Sequence, residues 1–163
     1  MAHVELSLSE AFAPSTTASL EQGSDSFAEP DGRNEIDGFA RWSSTVSAAA
    51  EPCLLIDRHT VITAASRSCC HLLGLDAPAD TVGRRLLDSE LRLLDFTAAR
   101  GELTEQDVVK IPPLLALASG RLARGLLRVQ CAAGDTDATI DAIATPVLVH
   151  DAVAGSLTFF SEV

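Results

Sequence analysis

The residues best suited to chemistry stand together at positions 69 to 71, two cysteines and a histidine inside SRSCCHLLG, residues 66–74. Thiolate and imidazole are the usual donors of zinc and haem sites, and a thiolate is also the nucleophile of redox sensing. Spacing decides among these chemistries. Ser66 can cap a helix and Gly74 can end one, and on a helix successive side chains diverge by about 100°. Cys69, Cys70 and His71 therefore cannot converge on one ion, and a Cys69–Cys70 disulfide would distort the turn. Residues three and four apart share a face, so Cys69, Leu72 and Leu73 turn toward the core while Cys70 and His71 turn away. Cys69 then reads as a small core residue, Cys70 is the redox candidate, and no metal site is expected. Cys53 and Cys131 add no CxxC pair, which predicts free thiols in a reducing compartment.

Other catalytic patterns are missing. His3, His59, His71 and His150 are scattered, and no GxSxG, P-loop or HExxH occurs. A small α+β cavity enzyme would have to bring Asp57, His71 and Asp88 within hydrogen-bond reach, yet Asp residues at loops and helix ends usually serve the local backbone. No catalysis is expected. The chain of 163 residues carries a net charge of −11, with 8 acids and 2 bases through Ala50 and 15 acids and 10 bases from Glu51 onward. Such a surface repels phosphate, which disfavours nucleic acid and anionic membrane as partners. No apolar run approaches the ~20 residues of a spanning helix, and MAHVELSLSE lacks a signal peptide's basic start and apolar centre, so a cytoplasmic location is expected. Arg supplies every basic residue except Lys110, which reads as a GC-rich bacterial coding bias.

Elements must position these residues. Residues 1–35, as in SLEQGSDSFAEPDGRNE, offer too little apolar surface to offset their ordering entropy and are expected to form a disordered acidic tail, with Phe12, Leu20 and Phe27 as its only apolar handles. Residues 36–50, IDGFARWSSTVSAAA, place Ile36, Phe39, Trp42 and Val46 on one helical stripe with Asp37 as N-cap. Such a short amphipathic helix packs on the domain or on a second copy, and those four residues are the interface candidates. In 51–163 the period changes. CLLID and VITAA read as a hairpin, SRSCCHLLG as a short helix, VGRRLLDSELRLLDF and IPPLLALASGRLA as two further helices, the last with Pro112 and Pro113 in its first turn. GLLRVQCAA, TIDAIATPVLVH and GSLTFFSEV read as closing strands divided at Gly134-Asp135 and at residues 151–155. Two strands, several helices and three strands make an α+β antiparallel sheet.

In this order the chain resembles a PAS domain. LLID at 54–57, HLLG at 71–74, VGRRLLD at 82–88, ALASG at 116–120 and ATPVLVHDAVAGSLTFF at 144–160 carry the likeness over about residues 47–163. Ser66 stands where the family often has Asn, and both can cap a helix. The resemblance implies a five-stranded antiparallel sheet in the order 2-1-5-4-3 with helices packed on one face. It also implies signalling, and since the chain ends at Val163, where family members usually continue into an output domain, any signal is expected to leave through a separate protein effector or a homodimer.

The same resemblance directs attention to the groove between helices and sheet. Ile56, Cys69, Leu73, Leu87, Leu91, Leu115, Ile143 and Phe159 are the expected pocket residues, with Leu94, Leu114, Leu117 and Leu127 beside them. Haem would need an axial His on IPPLLALASGRLARG, which has none. The flavin-binding LOV branch places a reactive Cys in a GRNCRFLQ-like stretch, whereas GRRLLDSE here has Arg85 and Leu86 in place of Asn and Cys. No cofactor is expected. With aromatic residues at 4% and no Tyr, an aliphatic core is the leading reading, and a small apolar ligand the second.

Overall fold

The chain's first strand, CLLID, is buried at four successive positions, which a strand facing water on one side would not be. Both faces of the sheet are covered around it. This computed structural model describes residues 32–163 apart from 90, 98, 100 and 131–136, with side chains from residue 38 onward. Residues 1–31 of the expected 1–35 tail, the Ile36 side chain, Cys131 and the Gly134-Asp135 turn lie outside the described residues, whereas residues 32–35 are helical.

Helix α1 spans Gly32–Ala48, so it begins before the expected Asp37 cap, which falls within it. The hairpin β1 (Cys53–Asp57) and β2 (Ile62–Ala65) follows, then α2 (Arg67–Leu73) and α3 (Pro78–Thr81). Next come a 3-10 turn at Leu86–Asp88, the short strand β3 (Leu93–Leu94), α4 (Glu105–Val108) and α5 (Pro112–Ser119). Strands β4 (Ala123–Gln130), β5 (Asp137–Val149) and β6 (Ala152–Glu162) close the chain. The fold is α+β with an antiparallel sheet as expected, but among the described residues the sheet has six strands in the order β2-β1-β6-β5-β4-β3. The expected order 2-1-5-4-3 is thereby corrected by one inserted edge strand.

That strand comes from the stretch expected to be a helix, residues 82–96. Gly83 adopts a φ of 92° that a helix does not accept. The neighbouring backbone bonds the edge of β2 instead of itself: Gly83 N–H donates to Ile62 O, Ile62 N–H to Arg84 O, and Leu86 N–H to Thr60 O, each at 2.8 Å. Covering that edge removes an aggregation-prone row of unpaired groups. Further on, Leu93 and Leu94 pair with Val129 and Arg128 at the other edge.

The expectation that helices occupy one face is also corrected. The inner face carries Leu54, Ile56, Ile62, Leu127, Val129, Ile140 and Phe160, covered by Cys69, Cys70 and Leu73 of α2, Leu86, and Ile111 and Leu114 around α5. The outer face carries a second apolar set, Cys53, Leu55, Ala64, Val147 and Leu157, and α1 closes it with Val46, Phe39 and Ala49. Without α1, five side chains that are now buried would face water, each worth on the order of 1–3 kcal/mol for the larger aliphatics.

Candidate functional site

Ser66 organises the thiol helix. Its hydroxyl accepts from Cys69 N–H and from Cys53 N–H, both at 3.1 Å, and donates to Glu51 O at 2.8 Å. Gly74 ends α2 at φ 67°, its N–H directed to the carbonyls of Cys70 and His71. Both caps lie where the sequence placed them. Cys69 is fully buried, as expected, but Cys70 is 3% exposed, which corrects its outward placement. Helix α3 packs against that side of α2, and Thr81 hydrogen-bonds the Cys70 thiol. Burial pushes the thiols of Cys69, Cys70 and Cys53 above their ordinary value, for Cys70 and Cys53 against the lowering effect of the Thr81 and Ser66 hydrogen bonds. A nucleophilic thiol needs exposure and a lowered pKa, and Cys70 has neither. His71 is exposed, and among the described residues no cluster of three His, Cys, Asp or Glu is placed to hold a metal.

The three residues of the enzyme alternative are not joined. The Asp57 carboxylate accepts from His59 N–H at 2.8 Å and Val61 N–H at 2.9 Å within its own turn. Among the described residues no hydrogen bond links it to His71 or Asp88.

The expected pocket set is divided. Ile56, Cys69 and Leu73 belong to the inner core. Leu87 and Leu91 lie at its edge, where with Leu93, Leu103, Val108 and Val109 they line an open groove of about 530 Å³, rimmed by Arg92, Glu102 and Glu105. Leu115 is 42% exposed, because Ala116 and Leu114 take the inward side of α5. Ile143 and Phe159 require correction: they pair with each other, and Phe159 with Cys53, on the outer face, 38% and 47% exposed. The inward residues of β5 and β6 are Ile140, Ala142, Ala144, Ser156, Thr158 and Phe160.

Those small residues let α5 come close. Ala116 packs on Ala123 and Ala144, and a Cβ on Gly125 would sit 3.4 Å from Pro112. Helix α5 thus packs tightly on β4 and β5 along this seam. Neither haem nor an adduct-forming flavin finds its protein ligand: α5 carries no histidine, and Leu86, at the position of the reactive cysteine, is buried in the core. Beside the seam, Ser156 Oγ and Thr158 Oγ1 are fully buried with no hydrogen-bond partner. Sequence reasoning missed them. In GSLTFFSEV both phases of the alternation contain large apolar residues, and nothing local shows which phase faces inward.

Of the interface candidates, Val46 is 3% exposed and Phe39 packs beside it on the outer face, whereas Trp42 is 45% exposed at the flank of the buried stripe. The Phe39 ring lies over Gly155, where a Cβ would come within 2.8 Å of it.

No protein-family model and no curated protein sequence matches the chain. Solved structures do. The fold is similar to the PAS domain of a Colwellia psychrerythraea protein, at 11% identity and a TM-score of 0.53 over 77% of this chain and 96% of that one. It is similar to the Rhodobacter sphaeroides LOV protein at 19% identity and 0.58, covering 78% of this chain and 68% of that one. It also matches the Vibrio cholerae VqmA dimer at 17% identity and 0.54, over 76% of this chain and 51% of VqmA. No helix among the described residues is long and apolar enough to cross a membrane. By its sheet, its connecting helices and these likenesses, the described chain has a PAS-like fold.

Proposed function

We propose that this domain signals by protein contact, regulating a separate effector through helix α1 and the outer surface that α1 covers. The attachment of α1 carries this reading. Its 17 residues rest on the sheet through Val46, Phe39 and Ala49, over Leu55, Val147 and Leu157. A helix attached through one apolar seam can exchange between docked and released packings, and an effector that binds one of them shifts the balance by its difference in affinity. Release would present Leu55, Val147 and Leu157 as a hydrophobic landing site. Amide hydrogen exchange tests the relay: α1 amides should exchange through local opening, well before the strands. If they exchange only with global unfolding, α1 cannot carry a signal.

The buried hydroxyls of Ser156 and Thr158 favour a second element, ligand sensing. Such groups cost about 1–3 kcal/mol each when unpaired, and a small apolar molecule with one polar atom entering the α5 seam would satisfy them. The misfit of haem and flavin supports a colourless protein. A visible absorption scan with a native mass spectrum checks this: a Soret or flavin band would overturn it.

A further inference from the structure

Where β1 ends, the chain forms a cavity of about 380 Å³ between α1, the β1–β2 turn and the β5–β6 turn. Ligand pockets run from about 300 to 1,000 Å³, so this one suits a small molecule. Phe39 of α1, Val149 of β5 and Val153 of β6 make its apolar walls. Asp57, Arg58 and His59 line it as well, which puts a carboxylate and a guanidinium in the same apolar cavity.

Each charged group is engaged on one side only. The amides of His59 and Val61 both donate to Asp57 Oδ1, so Oδ2 has no hydrogen-bond partner among the described residues. Arg58 Nε donates to His59 Nε2 at 3.2 Å, which holds the guanidinium beside the imidazole, while Nη1 and Nη2 make no hydrogen bond or ion pair among the described residues. The turn that carries them is fixed by its own backbone, Asp57 N–H donating to Val61 O at 2.9 Å and Thr60 N–H to Asp57 O at 3.0 Å. Thr60 is held there at φ 65°, an outlier for a β-branched residue, and strain of this kind gathers at ligand clamps.

The two free edges set the chemistry of the occupant. Oδ2 calls for a cationic donor, and the paired Nη groups call for a carboxylate, which they can grip side by side. A simple amine would meet Arg58 with like charge, and a simple acid would meet Asp57. A zwitterion satisfies both, and with no net charge it escapes repulsion by a chain of net charge −11. We infer that this cavity binds an apolar α-amino acid, its ammonium on Asp57 Oδ2, its carboxylate on Arg58 and its side chain against Phe39, Val149 and Val153. The site is separate from the α5 seam and stands without the effector reading, because α1 serves it only as a wall.

Isothermal titration calorimetry of the full chain with L-leucine, L-valine and L-phenylalanine is the test. At least one should bind one-to-one with a dissociation constant of a millimolar or below. The matching amine and the matching acid, which lack the carboxylate or the ammonium, should bind at least tenfold more weakly, about the factor of one lost charge-assisted hydrogen bond. Asp57→Asn keeps the oxygen that holds the turn and should cost the same factor with unchanged circular dichroism, whereas Arg58→Gln should leave the amino acid binding no better than its amine. No binding by any of the three at millimolar concentration, an amine or acid that matches the amino acid, or variants of natural affinity would each overturn the assignment. Amide chemical shifts locate the ligand independently. They should move at residues 57–61 and 149–154, and shifts confined to α5 and β4 would place the ligand in the seam and refute this site.

Discussion

Replacing Gly155 by alanine inserts a methyl group where two neighbours already stand. The new Cβ would lie 2.3 Å from Ile56 O and 2.8 Å from two ring carbons of Phe39. The carbonyl cannot simply yield, because Ile56 is paired with Ser156 in the central ladder. Overpacking of this kind costs about 1–3 kcal/mol. The ring can swing away only by giving up its contact with the sheet, roughly another 1–2 kcal/mol. Alanine restricts the unfolded chain and returns about 0.4–1 kcal/mol. The net expectation is a loss of about 2–3 kcal/mol, a large share of the 5–15 kcal/mol that holds a domain of this size. Urea denaturation measures the loss, and the chain's single tryptophan, Trp42 on α1, reports the helix directly through its emission. In a Phe39→Ala background the penalty should shrink by the ring's share while the carbonyl's share persists. A loss below 0.5 kcal/mol with unchanged Trp42 emission would show that α1 does not sit over Gly155.

The raised Cys69 thiol makes stability fall in alkali. Below the unfolded pKa of 9.0 both states keep the proton, and above it only the unfolded chain releases it. Stability should therefore drop about 1.4 kcal/mol per pH unit, or about 2 kcal/mol between pH 9 and 10.5. With no Tyr and one Lys in the chain, the other contributors are chiefly the raised Cys70 and Cys53 thiols, so Cys69→Ala should lessen the slope without abolishing it in pH-dependent melts. Millimolar peroxide should leave the peptide bearing Cys69 and Cys70 at its unmodified mass, and a sulfenic adduct there would contradict the burial of Cys70. Thr158→Val exchanges an unpartnered hydroxyl for a methyl and should be neutral or stabilising by about 1 kcal/mol in thermal unfolding. Destabilisation would reveal a bonding partner for that hydroxyl.

Local chemistry was legible where it is self-contained. Ser66 and Gly74 cap α2 because a hydroxyl can meet free amides and a glycine can adopt positive φ, whatever surrounds them. The PAS-like order of elements was readable for the same reason, since turn residues and apolar periods act over a few positions. The 82–96 stretch was not: its leucines suit a helix, but its backbone amides and carbonyls found partners on the edge of β2, a strand some twenty residues earlier.

The sequence by itself determined the class of fold and the caps of the thiol helix, both of which depend on neighbours along the chain. Only the tertiary structure decided which phase of β5 and β6 faces inward. Close approach of α5 required Ala142, Ala144, Ser156 and Thr158 beneath it, and thereby turned Ile143 and Phe159 out to the surface. The α1 helix, in turn, decided how much of that surface stays dry. Pleat alternation sets which residues share a face, but what lies above each face sets which of them is the core.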